Sequence, residues 1–233
     1  METIGIIGAM NAEVKSLCES LENASSEKVN NLTFFKGSFN GKNVVVVQSG
    51  VGKVNAALCA QMLIIKFGAT KILNTGIAGA TGKGLGVFDF VVSTEAVYHD
   101  FDVRIFGYER GQVPGMEKIF KADEKFANKA VEIFNSLDIS KEHKIVKGRI
   151  ASGDQFIADK AVKTDIVNTF APMCVEMEGA AIAHACTVNN VPFVIIRCLS
   201  DCADDTATNT YEFNEDVCAN MCADFVRKLI VNL

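Results

Sequence analysis

No stretch of this 233-residue chain runs through the ~18 uninterrupted apolar residues of a membrane span, although 49% of its residues are hydrophobic. The opening Met1-Glu2-Thr3 lacks the basic region of a signal peptide and passes straight into a glycine-broken apolar segment, which predicts a soluble, cytoplasmic protein. Positive charge is not in surplus: 23 Lys and Arg stand against 28 Asp and Glu. The short basic cluster at 144–149 carries no interleaved aromatics, which argues against a nucleic-acid partner. Histidine is scarce, and His99, His143 and His184 lie far in sequence from the cysteine pairs Cys198/Cys202 and Cys218/Cys222, so no metal site is expected. The eight cysteines are scattered through apolar segments and read as reduced, small core residues. Phosphate cradles are missing as well. Gly52-Lys53 has Val47, and Gly82-Lys83 has Ile77, where a P-loop needs its first glycine. No G-x-G-x-x-G follows the first strand, so neither a dinucleotide nor any other cofactor is expected.

What is present is an alternation of strand and helix signals with no repeat, low-complexity tract or linker, which predicts one domain over 1–233. Apolar runs at 4–10, 34–39, 43–47, 71–75, 89–97, 145–152, 173–177 and 192–199 read as strands. Asn40-Gly41 between the second and third favours a tight hairpin turn. Helical patterns cover 52–67, 121–137, 160–168, 179–189 and 211–231, after a loosely helical stripe of Ala12, Val14, Leu17 and Leu21. The expected fold is α/β, a mixed β-sheet flanked by helices on both faces. Residues 98–120 form one long connection with little periodicity, a length that inside a compact domain points to function or an interface.

Three acids stand at strand-to-helix junctions, where open α/β sheets bind ligands. Glu13 follows the first strand, Asp201 follows the run 194–200, and Glu178 ends Val175-Glu176-Met177-Glu178 before the helical Gly179-Ala180-Ala181. Each has an ordinary alternative: Glu13 as an exposed acid favouring a helix dipole, Glu178 as a helix cap, Asp201 as a turn residue. Glu176 and Glu178, two apart, would share one face of a strand, one of them serving structure. His99-Asp100 and Asp102 read as loop polarity, and Asn74 to Ala80 as a strand end that turns tightly and exposes backbone amides to a small ligand.

Six motifs occur in order: Gly-Ala-Met-x-x-Glu at 8–13, Ser-Gly-Val-Gly-Lys at 49–53, Asn-Thr-Gly-x-Ala-Gly at 74–79, Ser-Gly-Asp-x-Phe at 152–156, Val-Glu-Met-Glu at 175–178 and Ser-Asp-x-Ala-Asp at 200–204. Together they resemble the 5′-methylthioadenosine/S-adenosylhomocysteine nucleosidases of the nucleoside phosphorylase superfamily, almost from end to end. The phosphorylases of that superfamily carry Gly-Asp-Pro-x-Arg near the N-terminus, and here Gly8 to Glu13 replaces it, which favours water over phosphate as nucleophile.

The resemblance implies hydrolysis of the N-glycosidic bond of methylthioadenosine and adenosylhomocysteine to adenine and a 5′-thioribose, a step of methionine salvage. It implies Asp201 as the acid at adenine N7, Glu13 as the base that positions water, and Glu178 as the grip on the ribose hydroxyls. Met177 would pack on the sugar, Phe156 would stack on adenine, the Ile157 backbone would read the base edge, and Val51 would line the pocket. The resemblance further implies a homodimer with shared active sites, in which Val103, Phe106 and Pro114 of the neighbouring subunit close the alkylthio end. Two positions depart from the family pattern. Ile77 stands where relatives commonly carry serine or threonine, and Tyr211 where a phenylalanine often covers the purine.

Overall fold

The computed structural model describes residues 2–204 and 207–233. The chain opens with β1 (Thr3–Gly8), whose Ile4, Ile6 and Ile7 are all buried, and turns into α1 (Asn11–Glu19). An antiparallel unit follows: β2 (Glu22–Val29), β3 (Leu32–Phe39) and β4 (Lys42–Gln48). Asn40 and Gly41 both take positive φ at the hairpin turn, as the Asn-Gly pair predicts. β2 carries no strand signal in its sequence, because Glu-Asn-Ala-Ser-Ser-Glu-Lys-Val is polar nearly throughout. It is the exposed edge of the sheet, held by its pairing to β3 rather than by burial.

The remaining elements alternate: α2 (Lys53–Ile65), β5 (Lys71–Ala80), β6 (Phe90–Tyr98), β7 (Phe120–Lys121), α3 (Glu124–Asn135), β8 (Ile145–Ser152), α4 (Lys160–Phe170), β9 (Cys174–Glu176), α5 (Gly179–Val188), β10 (Phe193–Asp201) and α6 (Ala207–Val231). Two expectations change. The segment from Asn74 to Ala80 does not turn; it continues as strand, since β10 pairs with β5 from Ile72 to Gly79 and supplies the ladder. The helix expected from 121 begins at Glu124, because Lys121 pairs with Glu95 and Asp123 caps the helix by accepting the Phe126 amide at 2.7 Å. Between Tyr98 and Phe120 the chain is irregular apart from one 3₁₀ turn at Arg104–Phe106.

The sheet is mixed, as expected, and it also curls. Strand order runs β10-β6-β8-β9-β5-β1-β4-β3-β2, with β7 on β6, and an extra β10–β5 pairing closes five strands into a ring from which the other four extend. Helices cover both faces. Val14 and Leu17 of α1, Phe126 and Phe134 of α3, and Phe225 and Leu229 of α6 pack one core, into which Cys218 and Cys222 also point. Cys59 and Leu63 of α2 with Ile182 and Cys186 of α5 pack the other. Each large side chain fully buried there stabilises the fold by ~1.5–3 kcal/mol. Because β1, β5 and β10 run parallel, their carboxyl ends gather at one rim of the sheet.

Candidate active site

That rim holds an open cleft, whose wall includes Glu13, Val51, Ile77, Phe156, Met177, Glu178, Asp201 and Tyr211. Residues spread over the whole sequence are thus brought together. Ile157 instead places its side chain in a small core with Ile166, Phe170 and Val175, one residue beyond the cleft wall. Val103, Phe106 and Pro114 do not line the cleft of their own chain, and Phe106 is 75% exposed.

Glu13 is not the exposed helical acid that its position alone suggests; it is buried at the third residue of α1. Its Oε2 accepts the amides of Ala9 at 2.6 Å and Met10 at 2.9 Å, and its Oε1 accepts the amide of Ile77 at 3.1 Å. The Asn-Thr-Gly-x-Ala-Gly segment therefore offers an amide to a carboxylate of its own protein. Gly76 is required for this approach. A Cβ there would lie 3.0 Å from Glu13 Cδ and 2.8 Å from Arg197 Nη1, inside ordinary van der Waals contact. Burial raises the Glu13 pKa, while Arg197 and the three amides oppose the shift.

Asp201 is the last residue of β10 and is also buried. Ser200 Oγ donates to its Oδ2 at 2.9 Å and the Ala203 amide to its Oδ1 at 2.7 Å, so two local donors orient the carboxyl although Ile77 has no hydroxyl to offer. Gly79 lies beneath it, and a Cβ there would come within 2.8 Å of Oδ1. Burial pushes the Asp201 pKa up, against those two hydrogen bonds, which favours the protonated form an acid must have.

Glu178 sits at the entrance to α5 but does not cap it with its side chain. Its Oε1 accepts the Gly52 amide at 2.9 Å, which ties the turn before α2 to the turn before α5. Burial, then the neighbouring Glu176, push its pKa up to about 8. Phe156 and Tyr211 also line the cleft, rings edge to face with centroids 5.4 Å apart, and the Tyr211 hydroxyl reaches Met10 Sδ at 3.3 Å.

Sequence reasoning missed Arg197. An arginine inside the apolar strand 193–199 is its signal, since a cation is fully buried only with partners. Arg197 is 1% exposed; its Nη2 donates to Glu176 and, at 2.6 Å, to Asn74 Oδ1, and it lies 3.9 Å from Glu178 Oε2. Glu176, Glu13 and Glu178 around it hold the guanidinium charged despite burial. His99 and Asp100 are likewise more than loop polarity. His99 is buried, and Asp100 pairs with Lys53 at 2.6 Å and accepts the Asp154 amide at 2.9 Å, which fastens the end of β6 to the two segments that carry Val51 and Phe156. No group of His, Cys, Asp and Glu suited to a metal ion occurs among the described residues.

Four carboxylates, Glu13, Glu176, Glu178 and Asp201, thus border one cleft, and among the described residues neither lysine nor arginine lines it. A cleft without a lining cation offers an anionic reactant no partner, and its carboxylates stabilise developing positive charge once ionised. The sequence profile of the Phosphorylase superfamily matches residues 3–231. The 5′-methylthioadenosine/S-adenosylhomocysteine nucleosidase of Actinobacillus succinogenes is 40% identical over 231 residues, covering 99% of both chains. That of Treponema pallidum is 42% identical over 91% of this chain and 87% of its own. The crystal structure of the Neisseria meningitidis nucleosidase, in complex with methylthio-immucillin-A, superposes with a TM-score of 0.96 at 36% identity over the whole of both chains. The futalosine hydrolase of Helicobacter pylori superposes with a TM-score of 0.93 at 31% identity, over 100% of this chain and 98% of its own. By sequence, fold and cleft, the chain belongs to the 5′-methylthioadenosine/S-adenosylhomocysteine nucleosidases of the phosphorylase superfamily.

Proposed function

We propose that this protein hydrolyses the N-glycosidic bond of 5′-methylthioadenosine and S-adenosylhomocysteine, releasing adenine and the 5′-thioribose. The observation that carries the reading is the set of buried carboxylates lining one cleft, with Asp201 biased toward its protonated form and Glu13 pinned by three amides. The reaction passes through a ribosyl oxocarbenium ion and needs an acid at the leaving group and a base at the water. Asp201 protonates adenine N7, and the C1′–N9 bond breaks with its electron pair leaving on the base. Glu178 holds the ribose hydroxyls and stabilises the cation; Glu13 takes a proton from the water that attacks C1′. Adenine lies against Phe156 and Tyr211, with the Ile157 backbone at its edge, and the sugar lies over Met177 with Val51 toward the 5′ end.

The same reading makes residues 1–233 one domain that needs no cofactor and acts on a small nucleoside in the cytoplasm, in methionine salvage. It also makes the protein a homodimer. Val54, Leu58 and Ile65 on α2, Val188 on α5, and Ile105 and Phe106 are exposed apolar residues, and an isologous contact through them would take them out of water. Val103, Phe106 and Pro114 of the partner subunit then close the alkylthio end. Adenine release measured in phosphate-free buffer tests the chemistry: turnover independent of phosphate is expected, and a ribose 1-phosphate product would make the protein a phosphorylase instead. Sedimentation tests the assembly, since a fully active monomer at micromolar concentration refutes the shared site. The likeness to the Helicobacter pylori futalosine hydrolase favours a second reading, action on aminodeoxyfutalosine, which the same adenine assay compares directly.

A further inference from the structure

Glu176 is the one carboxylate of the cleft wall without a part in the reaction above. It is buried at the end of β9, and its two oxygens are occupied by donors from three elements. Oε1 accepts from Ser152 Oγ of β8, a hydroxyl that itself accepts the Ala180 amide at 2.7 Å. Oε2 accepts the amides of Glu178 at 3.1 Å and Gly179 at 2.8 Å, and Nη2 of Arg197 from β10. Even the glycine at 179 belongs to this arrangement, since a Cβ there would lie 3.0 Å from Oε1 and 3.2 Å from Oε2.

A carboxylate whose acceptor sites are taken in this way has little left for a substrate. What it controls is its neighbours. Through the Glu178 amide it fixes the backbone that carries the ribose grip, and through Arg197 it fixes the guanidinium that lies between Glu13 and Glu178. It also balances charge. Around Glu178 stand Glu176 of β9, Arg197 of β10 and Glu13 of α1, with the Gly52 amide leading into α2. Around Glu176 stand Arg197, His99 at the end of β6 and Cys174 on its own strand. With Glu176 ionised, Arg197 is neutralised; without that charge, Glu13 and Glu178 would face an uncompensated cation.

We propose that Glu176 is a positioning residue for the hydrolysis: it holds Arg197 and the first turn of α5 in place and sets the charge against which Glu13 and Glu178 ionise. The inference rests on the nucleosidase reading for its kinetic consequences, but its electrostatic consequence can be measured without turnover.

The experiment compares wild type, Glu176→Gln and Glu176→Asp. In the free proteins, carboxyl-carbon NMR titration of Glu178 should show its pKa falling by about one to three units in Glu176→Gln, because an unpaired cation favours the ionised neighbour. It should stay near its wild-type value in Glu176→Asp, which keeps the charge. Adenine release should then show the acid limb of kcat/KM moved to lower pH in Glu176→Gln, with kcat reduced ~10- to 100-fold in both variants as the grip is displaced. An unmoved Glu178 titration in a folded Glu176→Gln protein overturns the proposal, as does wild-type kcat in Glu176→Asp. If Glu176→Gln does not fold, Glu176→Asp decides: low kcat with an unmoved acid limb supports positioning, and full kcat refutes it. A wild type that releases no adenine while the NMR shift appears would sink the nucleosidase reading and leave the electrostatic role standing.

Discussion

Gly76→Ala is the sharpest test of how Glu13 is held. The substitution is mild for the backbone, because Gly76 is not among the glycines with positive φ. Its consequence is local. The new Cβ would lie 3.0 Å from Glu13 Cδ and 2.8 Å from Arg197 Nη1, whereas carbon atoms in contact settle at ~3.5–4.0 Å. The carboxyl group must therefore retreat by on the order of 0.5–1 Å, and the 3.1 Å hydrogen bond from the Ile77 amide to Oε1 is the first to break. A charge-assisted hydrogen bond contributes ~1.5–3 kcal/mol, and a reacting group misplaced by ~1 Å loses about 10²-fold in rate. We expect kcat for adenine release from methylthioadenosine to fall about 100-fold, with Tm lowered by only a few degrees. The assay is steady-state adenine release, with the melting curve and the circular dichroism spectrum as controls. A Gly76→Ala protein within about threefold of wild-type kcat, with Ala confirmed at the position, would show that the Ile77–Glu13 contact does not position the base.

Other outcomes follow from the same geometry. Asp201→Asn keeps the shape but cannot protonate the leaving adenine, so kcat should fall ~10²- to 10⁴-fold with KM less affected, and near wild-type turnover would remove Asp201 from the reaction. The pH profile of kcat/KM, which reports the free protein, should be bell-shaped: the acid side is lost as Glu13 and Glu178, both with raised pKa, take up protons, and the alkaline side as Asp201 gives its proton up. Because the free cleft pushes the Glu178 pKa up to about 8 and ribose hydroxyls favour its ionised form, a bound nucleoside analogue should release up to about one proton at pH 7. Calorimetry in buffers of different ionisation enthalpy measures this release, which should disappear in Glu178→Gln; equal release in both proteins refutes the assignment. Ile77→Ser should change turnover by less than about tenfold, since Ser200 and the Ala203 amide already orient Asp201. A hundredfold rise would show that Ile77 tunes this protein for something else.

The sequence by itself determined the class of fold, because β-α alternation and apolar periodicity are local properties that burial merely enforces. β8 was readable to the residue, and α5 within one. Ordered motifs also brought Glu13, Glu178 and Asp201 to notice before any contact was known. Tertiary structure alone decided the rest. Polar β2 is a strand only because β3 offers it a partner, and β5 runs on to Ala80 only because β10 pairs alongside. Two carboxylates two residues apart came to differ in charge for the same reason. Glu176 meets Arg197 and Ser152 and has its pKa lowered despite burial, whereas for Glu178 burial and then the charge of Glu176 outweigh Arg197 and the Gly52 amide and raise its pKa. Sequence spacing does not reveal this difference, because solvation and charge depend on distant chain segments such as Gly52, 126 residues from Glu178.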